Sequence, residues 1–240
     1  MFRIIYFVLF LMGTLVGSLP TLRRNKALAQ SHKAEYDKQI HELPKRWARS
    51  VVRQTGSGVS ISGQEHLPEG AVLFVSNHEG DFDVPALLGY IEKPFGFISK
   101  VEMKKVPIIR DWMEALHCIY INRENRRDAV KMLRDGIQIL KSGHSLLIFP
   151  EGTRSKGGEL KPFKSGAFRM AKEARIPIVP IAIKGTSHIF EKNNRKKLTP
   201  AQIVIEILPA LDPDIFEEYE LKKVAAHTQQ LIQMSLSQMK

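Results

Sequence analysis

Seven short apolar runs, set apart by stretches with helical spacing, constrain this chain more than any other feature. From Val59 onward they are V-S-I-S, A-V-L-F-V-S, F-G-F-I-S, C-I-Y-I-N, S-L-L-I-F, I-V-P-I-A-I and I-V-I-E-I-L. Each has strand length and is rich in β-branched and aromatic residues. Helical stretches at 85–91, 108–116, 126–140 and 166–174 fall between several of them, and Asp212-Pro213-Asp214 opens a C-terminal helical region. Strands alternating with helices predict an α/β fold, with a mixed, mostly parallel sheet flanked by helices. In such sheets ligands sit beyond the carboxyl ends of the strands. Three strand ends therefore matter most: S-N-H-E-G-D-F-D, N-R-E-N-R-R and F-P-E-G-T-R-S.

The start of the chain is different. Residues 4–20 carry no charge; Arg3 precedes them, and Arg23, Arg24 and Lys26 follow. The run sits at the short end of the roughly 17–25 residues needed to span a bilayer. Ala27-Leu28-Ala29 looks like a signal-peptide cleavage site, but the basic cluster before it favours a retained segment, spanning or lying in one leaflet. Tyr36, Ile40, Leu43, Trp47 and Val51 then mark one helical face. Lys33, Lys45, Arg46, Arg49 and Arg53 crowd the remainder, and Pro44 is expected to kink or interrupt the helix. A basic amphipathic helix after an apolar segment predicts attachment to a membrane surface. The alternative is a helix packed on the domain with its basic face solvated. The expected division is residues 1–54 as N-terminal membrane-associated helices and 55–240 as the α/β domain.

A net charge of +11 implies anionic partners: phosphate esters, anionic lipid or nucleic acid. No RNA-binding motif or recognition helix stands out, so nucleic acid is not expected. The basic run 192–197 reads as a solvated loop, with anionic lipid as its alternative partner. The single cysteine, Cys118, excludes an intramolecular disulfide and suits a reducing compartment.

His78 and Asp83 lie close enough in a strand-to-helix turn for the carboxylate to hold one ring nitrogen. The other nitrogen is then free to act as a general base. The same spacing also fits an Asp83 that merely caps the following helix. Asn77-His78-Glu79 is similar to the Asn-His-Glu box of binuclear metallophosphatases. The companion motifs are missing: the only aspartate before His78 is Asp37, in D-K-Q, and Gly143-His144-Ser145-Leu146 is not Gly-His-x-His. No Cys/His cluster has zinc spacing, so neither metal nor cofactor is expected.

F-P-E-G-T-R-S is the more informative end. Gly152 permits close backbone approach, Thr153 adds a hydroxyl, and Arg154 offers a planar fork suited to phosphate. Glu151 repels phosphate, so it would accept from a substrate hydroxyl or orient an arginine. A Glu151–Arg154 salt bridge on a turn is the alternative. Arg123, after C-I-Y-I-N, is a second arginine at a strand end.

Taken in order, these blocks resemble the glycerolipid acyltransferase family, most of all its 1-acylglycerol-3-phosphate members. Asn77 to Asp83 matches N-H-x-x-x-x-D, and Phe149 to Ser155 matches F-P-E-G-T-R-S in full. His117 to Arg123 corresponds to G-x-x-F-I-x-R, with His117 in place of glycine and Tyr120 in place of phenylalanine. Ile176 to Ile181 corresponds to the apolar V-P-[IV]-x-P-[IV] block, and Lys100-Val101-Glu102 with Pro107 to K-x-E-L-x-x-x-P, with methionine for leucine. The resemblance covers about residues 55–210.

It implies transfer of a fatty acyl group from a thioester, acyl-carrier protein or coenzyme A, to the hydroxyl of lysophosphatidic acid, making phosphatidic acid. His78 and Asp83 would be catalytic; Arg123, Glu151, Gly152, Thr153, Arg154 and Lys100 would bind the substrate phosphate. By family analogy backbone amides near 177–181 are candidates to hold the oxyanion, although the prolines there donate nothing and the sequence does not decide it. The expected location is the cell membrane, with the catalytic domain on its cytoplasmic side. Glycerol-3-phosphate acylation is the close rival. A non-catalytic peripheral protein binding anionic lipid is the rival of another class.

Overall fold

The structure, a computed structural model, describes residues 2–30, 34–122 and 125–239. All seven apolar runs are strands: β1 Gly58–Ser62, β2 Leu73–Ser76, β3 Gly96–Lys100, β4 Ile119–Ile121, β5 Leu146–Ile148, β6 Ile178–Lys184 and β7 Gln202–Ile207. They form one sheet in the order β1-β7-β6-β2-β5-β3-β4. β7 is antiparallel to β6 and parallel to β1, so those two strands run against the other five. The expected mixed, mostly parallel sheet is the one observed. β2 and β5 are buried throughout and β6 nearly so, which explains their unbroken apolar sequences.

Helices cover both faces of the sheet. In chain order they are α1 Phe2–Gly17, α2 Leu19–Gln30, α3 Asp37–Gln54, α4 Asp83–Tyr90, α5 Pro107–Ala115, α6 Arg126–Lys141, α7 Arg169–Ala174, α8 Ile215–Glu218 and α9 Leu221–Gln238. Alternate residues of β2 face opposite cores, as a strand requires. Val72 and Phe74 join Leu22, Ile40, Leu87 and Trp112 on one side. Leu73 and Val75 join Leu140, Met170, Val224 and Ile232 on the other. The result is three layers sharing a central sheet.

The N-terminal segment departs from the sequence reading. The apolar run is not one straight helix: α1 stops at Gly17, α2 starts at Leu19, and the two are bent by 55°. Among the described residues no single helix is long and apolar enough to cross a membrane; only this bent pair is so jointly. Pro44 does not interrupt α3, which runs for 18 residues. The apolar face of α3 packs on the domain, burying Ile40, Pro44, Ala48, Val51 and Val52.

Polar ties anchor these helices. The Trp47 indole donates to Thr14 Oγ1 (3.0 Å), the Trp112 indole to Ser18 Oγ (2.8 Å), and Lys26 pairs with Asp111 (2.9 Å). α1 turns Phe7 and Leu15 inward, while Tyr6 (61%), Leu9 (65%) and Met12 (56%) are exposed on its surface.

Candidate active site

The site is assembled at the carboxyl ends of β2 and β5. Asn77, leaving β2, is locked to β6 by a reciprocal amide pair: its Nδ2 donates to Ile183 O (2.8 Å) and its Oδ1 accepts from Ile183 N (2.9 Å). The loop after β5 clips onto this turn. Ser155 N donates to His78 O (2.7 Å) and Lys156 N to Glu79 O (3.0 Å). The two most informative sequence blocks are therefore joined through their backbones.

Within that frame His78 Nδ1 lies 2.6 Å from Asp83 Oδ2, as the local spacing allowed. Asp83 opens α4 and has no exposed surface. Its Oδ2 also accepts from Glu79 N (2.7 Å) and Gly80 N (3.0 Å), and its Oδ1 accepts from the Thr186 hydroxyl. Asp83 is the first residue of α4, but its side chain reaches back to the turn and makes no cap bond to the helix, so the base-holding reading of the spacing is the one observed. A fixed carboxylate on Nδ1 sets the tautomer and leaves Nε2 unprotonated. The ring stacks on Phe149, with centroids 4.1 Å apart and planes 17° apart. Its rotation is thereby restricted.

Glu79 braces the turn from behind. Its Oε2 accepts from Gly185 N (2.9 Å) and from the Thr186 and Ser187 hydroxyls (both 3.3 Å). Burial, then the Asp83 charge, pushes the Glu79 carboxyl above its ordinary range.

His78 lines a cleft of about 510 Å³ together with Lys100, Thr153 and Arg154. The rest of the lining is mainly apolar and includes Leu15, Trp47, Val84, Leu88, Met103 and Trp112. Leu15 comes from α1, while Leu43, Pro44 and Trp47 come from α3. The N-terminal helices thus wall the same space as the His–Asp pair. A ligand with one anionic end and one long apolar end suits such a cleft.

Arg154 forms an ion pair with Asp81, and Arg195 meets the other oxygen of that carboxylate at 2.5 Å. Glu191 Oε1 lies 3.9 Å from Arg154 and 3.6 Å from Arg195. Two guanidiniums therefore converge on one carboxylate beside the cleft. Arg195 was hidden in the basic run 192–197; only its contrast with the surrounding lysines, as a planar fork among point charges, marked it.

Other candidates fall elsewhere. Glu151 is buried, its Oε1 accepting from His78 N (2.6 Å) and its Oε2 from Lys161 N (3.0 Å). Both oxygens brace the loops, a role the sequence reading did not foresee. Gly152 has φ +71°, and a Cβ there would approach Lys164 Nζ to 2.8 Å. Arg123 lies outside the described residues. Of the candidate oxyanion amides, those of 178–181 lie in the buried strand β6, and Ile178 N is bonded to Leu211 O (3.0 Å). Cys118 is buried outside the cleft lining, and burial pushes its thiol up to about 12. That rules it out as a thiolate nucleophile at neutral pH.

A family model described as Acyltransferase matches residues 58–184, more than half of the chain. This chain belongs to the acyltransferase family. A 1-acyl-sn-glycerol-3-phosphate acyltransferase of Chlamydomonas reinhardtii is 37% identical over 158 residues, covering 65% of this chain and 47% of that protein. A chloroplastic enzyme of the same name from Arabidopsis thaliana is 38% identical over 152 residues, covering 62% and 42%. The Escherichia coli K12 protein of that name is 27% identical over 171 residues, covering 71% and 69%. The chain thus spans less than half the length of the algal and plant relatives. The crystal structure of the 1-acyl-sn-glycerophosphate acyltransferase PlsC from Thermotoga maritima shares the fold. Its TM-score is 0.82 at 24% identity, covering 100% of this chain and 96% of that one.

Proposed function

We propose that this acyltransferase moves a fatty acyl group from a thioester to the free hydroxyl of 1-acylglycerol-3-phosphate, forming phosphatidic acid. One observation carries the reading: a positioned imidazole and a guanidinium line one cleft whose remaining walls are mainly apolar. His78 Nε2 takes the proton of the acceptor hydroxyl as its oxygen attacks the thioester carbonyl. Collapse of the tetrahedral intermediate breaks the C–S bond, and the same proton passes to the leaving sulfur. Such a base contributes about 10²–10⁴-fold. Asp83 holds the ring; Phe149 limits its rotation. No side chain is acylated, in keeping with the inert Cys118.

The acceptor's phosphate is assigned to Arg154 and Arg195, with help from Lys100 and Thr153, which line the same cleft as Arg154. The two guanidiniums converge on the Asp81 carboxylate, whose place an incoming phosphate dianion would take. Membrane attachment is assigned to the exposed apolar surface of α1, lying in one leaflet on the cytoplasmic side of the cell membrane. The net charge of +11 would concentrate anionic acceptor there. Because α1 and α3 wall the cleft, an acyl chain could pass from bilayer to site along them.

The test incubates the purified full chain with lysophosphatidate or glycerol-3-phosphate, each paired with acyl-carrier-protein and coenzyme A thioesters. Lysophosphatidate should be the preferred acceptor, with phosphatidate as product. Preference for glycerol-3-phosphate would replace the acceptor assignment. Absence of transfer with every pair, alongside intact binding to anionic vesicles, would overturn the enzymatic reading.

A further inference from the structure

At the opposite, amino-terminal end of the sheet lies a second group of chemistry-bearing side chains that the reaction does not use. Asp37 opens α3, His117 sits in the turn before β4, and His144 lies between α6 and β5. They come from three separate segments, yet one donor atom from each lies within 4.8 Å of the others. His144 Nδ1 is 2.8 and 3.0 Å from the two Asp37 oxygens, and His117 Nε2 is 3.9 Å from Asp37 Oδ1. The two imidazole centroids are 3.9 Å apart.

The cluster is shielded from water: His144 is 2% exposed and Asp37 8%. His117 holds φ +56°, a left-handed conformation that a non-glycine residue rarely adopts and that the matching family block fills with glycine. A Cβ on Gly96 would come within 2.4 Å of Leu116 O, so β3 presses directly on the turn that presents His117. The fold thus holds an imidazole where glycine is the easier residue, beside a buried carboxylate and a second imidazole.

We propose that Asp37, His117 and His144 bind a divalent transition-metal ion of the zinc class. Two nitrogens and one carboxylate oxygen are a common zinc donor set, leaving a fourth tetrahedral position for water. Donors about 2.0–2.1 Å from the ion lie roughly 3.3 Å from each other. The Asp37–His144 pair is already inside that spacing, and small rotations of the His117 ring bring in the third donor. The carboxylate offsets part of the ion's charge. The ion would clamp the start of α3, and with it a wall of the substrate cleft, to the amino edge of the sheet. This inference does not depend on the proposed reaction.

The experiment uses the full chain without a polyhistidine tag, stripped with chelator and titrated with Zn(II), with Co(II) as a spectroscopic probe. One zinc per chain should bind, raising the melting temperature by roughly 5–10 °C at a hundredfold excess over Kd. Co(II) should give the intense visible bands of a tetrahedral site. His117→Gly relieves the left-handed strain and should fold at least as well; Asp37→Asn is nearly isosteric. Both should lose the stoichiometric ion and the thermal shift. No zinc above background in the wild type, or undiminished binding in folded His117→Gly, would overturn the proposal.

Discussion

Among the described residues a His–Asp pair lies at each end of one sheet, and the two differ in everything except their chemistry. His78 Nδ1 meets Asp83 at 2.6 Å and His144 Nδ1 meets Asp37 at 2.8 Å. Asp83 is held by two backbone amides and a hydroxyl, and the His78 ring keeps 14% of its surface open along the cleft. His144 keeps 3%, packs against another imidazole, and points its remaining nitrogen into protein. A ring nitrogen set against a carboxylate is therefore common to both sites. What makes a base of one pair is the space beside its second nitrogen, where a substrate can reach.

Substitutions can break that contrast. His78→Ala should lower kcat/KM for acyl transfer by about 10²–10⁴-fold with little change in stability. His144→Ala should do the reverse, leaving the kcat of folded protein intact while lowering stability by about 1–3 kcal/mol. Steady-state assays and denaturant melts on both variants check this. Arg154→Ala should raise KM for lysophosphatidate about 10–100-fold, equivalent to a charge-assisted hydrogen bond of about 1.5–3 kcal/mol, with a smaller effect on kcat. Equal losses in KM for an acceptor without phosphate would remove Arg154 from the cradle.

The smallest effect is one of pH. His41, one turn along α3 from Asp37, is lowered to about 3, chiefly by burial and then by the His117 charge. Its folded pKa lies below its unfolded value of 6.5, so the unfolded chain binds the extra proton between the two. The stabilising contribution is complete above that window and is lost progressively as pH falls towards 3. Between pH 6.5 and about 5.5 the loss should be roughly 1 kcal/mol. Chelator-treated protein melted across this range should show it, and His41→Leu should flatten the curve.

The two ends also differ in how far they could be read from sequence. Strands were legible because burial on both faces leaves unbroken β-branched runs. The His78–Asp83 pair was legible because a single turn carries both residues. Asp37 and His144 are 107 positions apart, and only the packing of α3 against the sheet edge brings them together. The same two residues looked like failed matches to a linear metal motif. Arg195 was obscured by neighbouring lysines that solvate the loop. Glu151, next to Gly152 and Arg154, looked like part of the phosphate grip; only the backbone amides of His78 and Lys161 reveal its bracing role. The reversal of β7 and β1 left no mark in composition, since strand direction is set by connections rather than by residues.

The central claim is that His78 and Asp83 act as one base. Single-turnover acyl transfer to lysophosphatidate by wild type, His78→Ala, Asp83→Asn and the double variant tests it most directly. Residues acting as a unit are non-additive, so the double variant should be no slower than His78→Ala alone. Two independent losses that multiply, or a His78→Ala enzyme that transfers at the wild-type rate, would contradict the account.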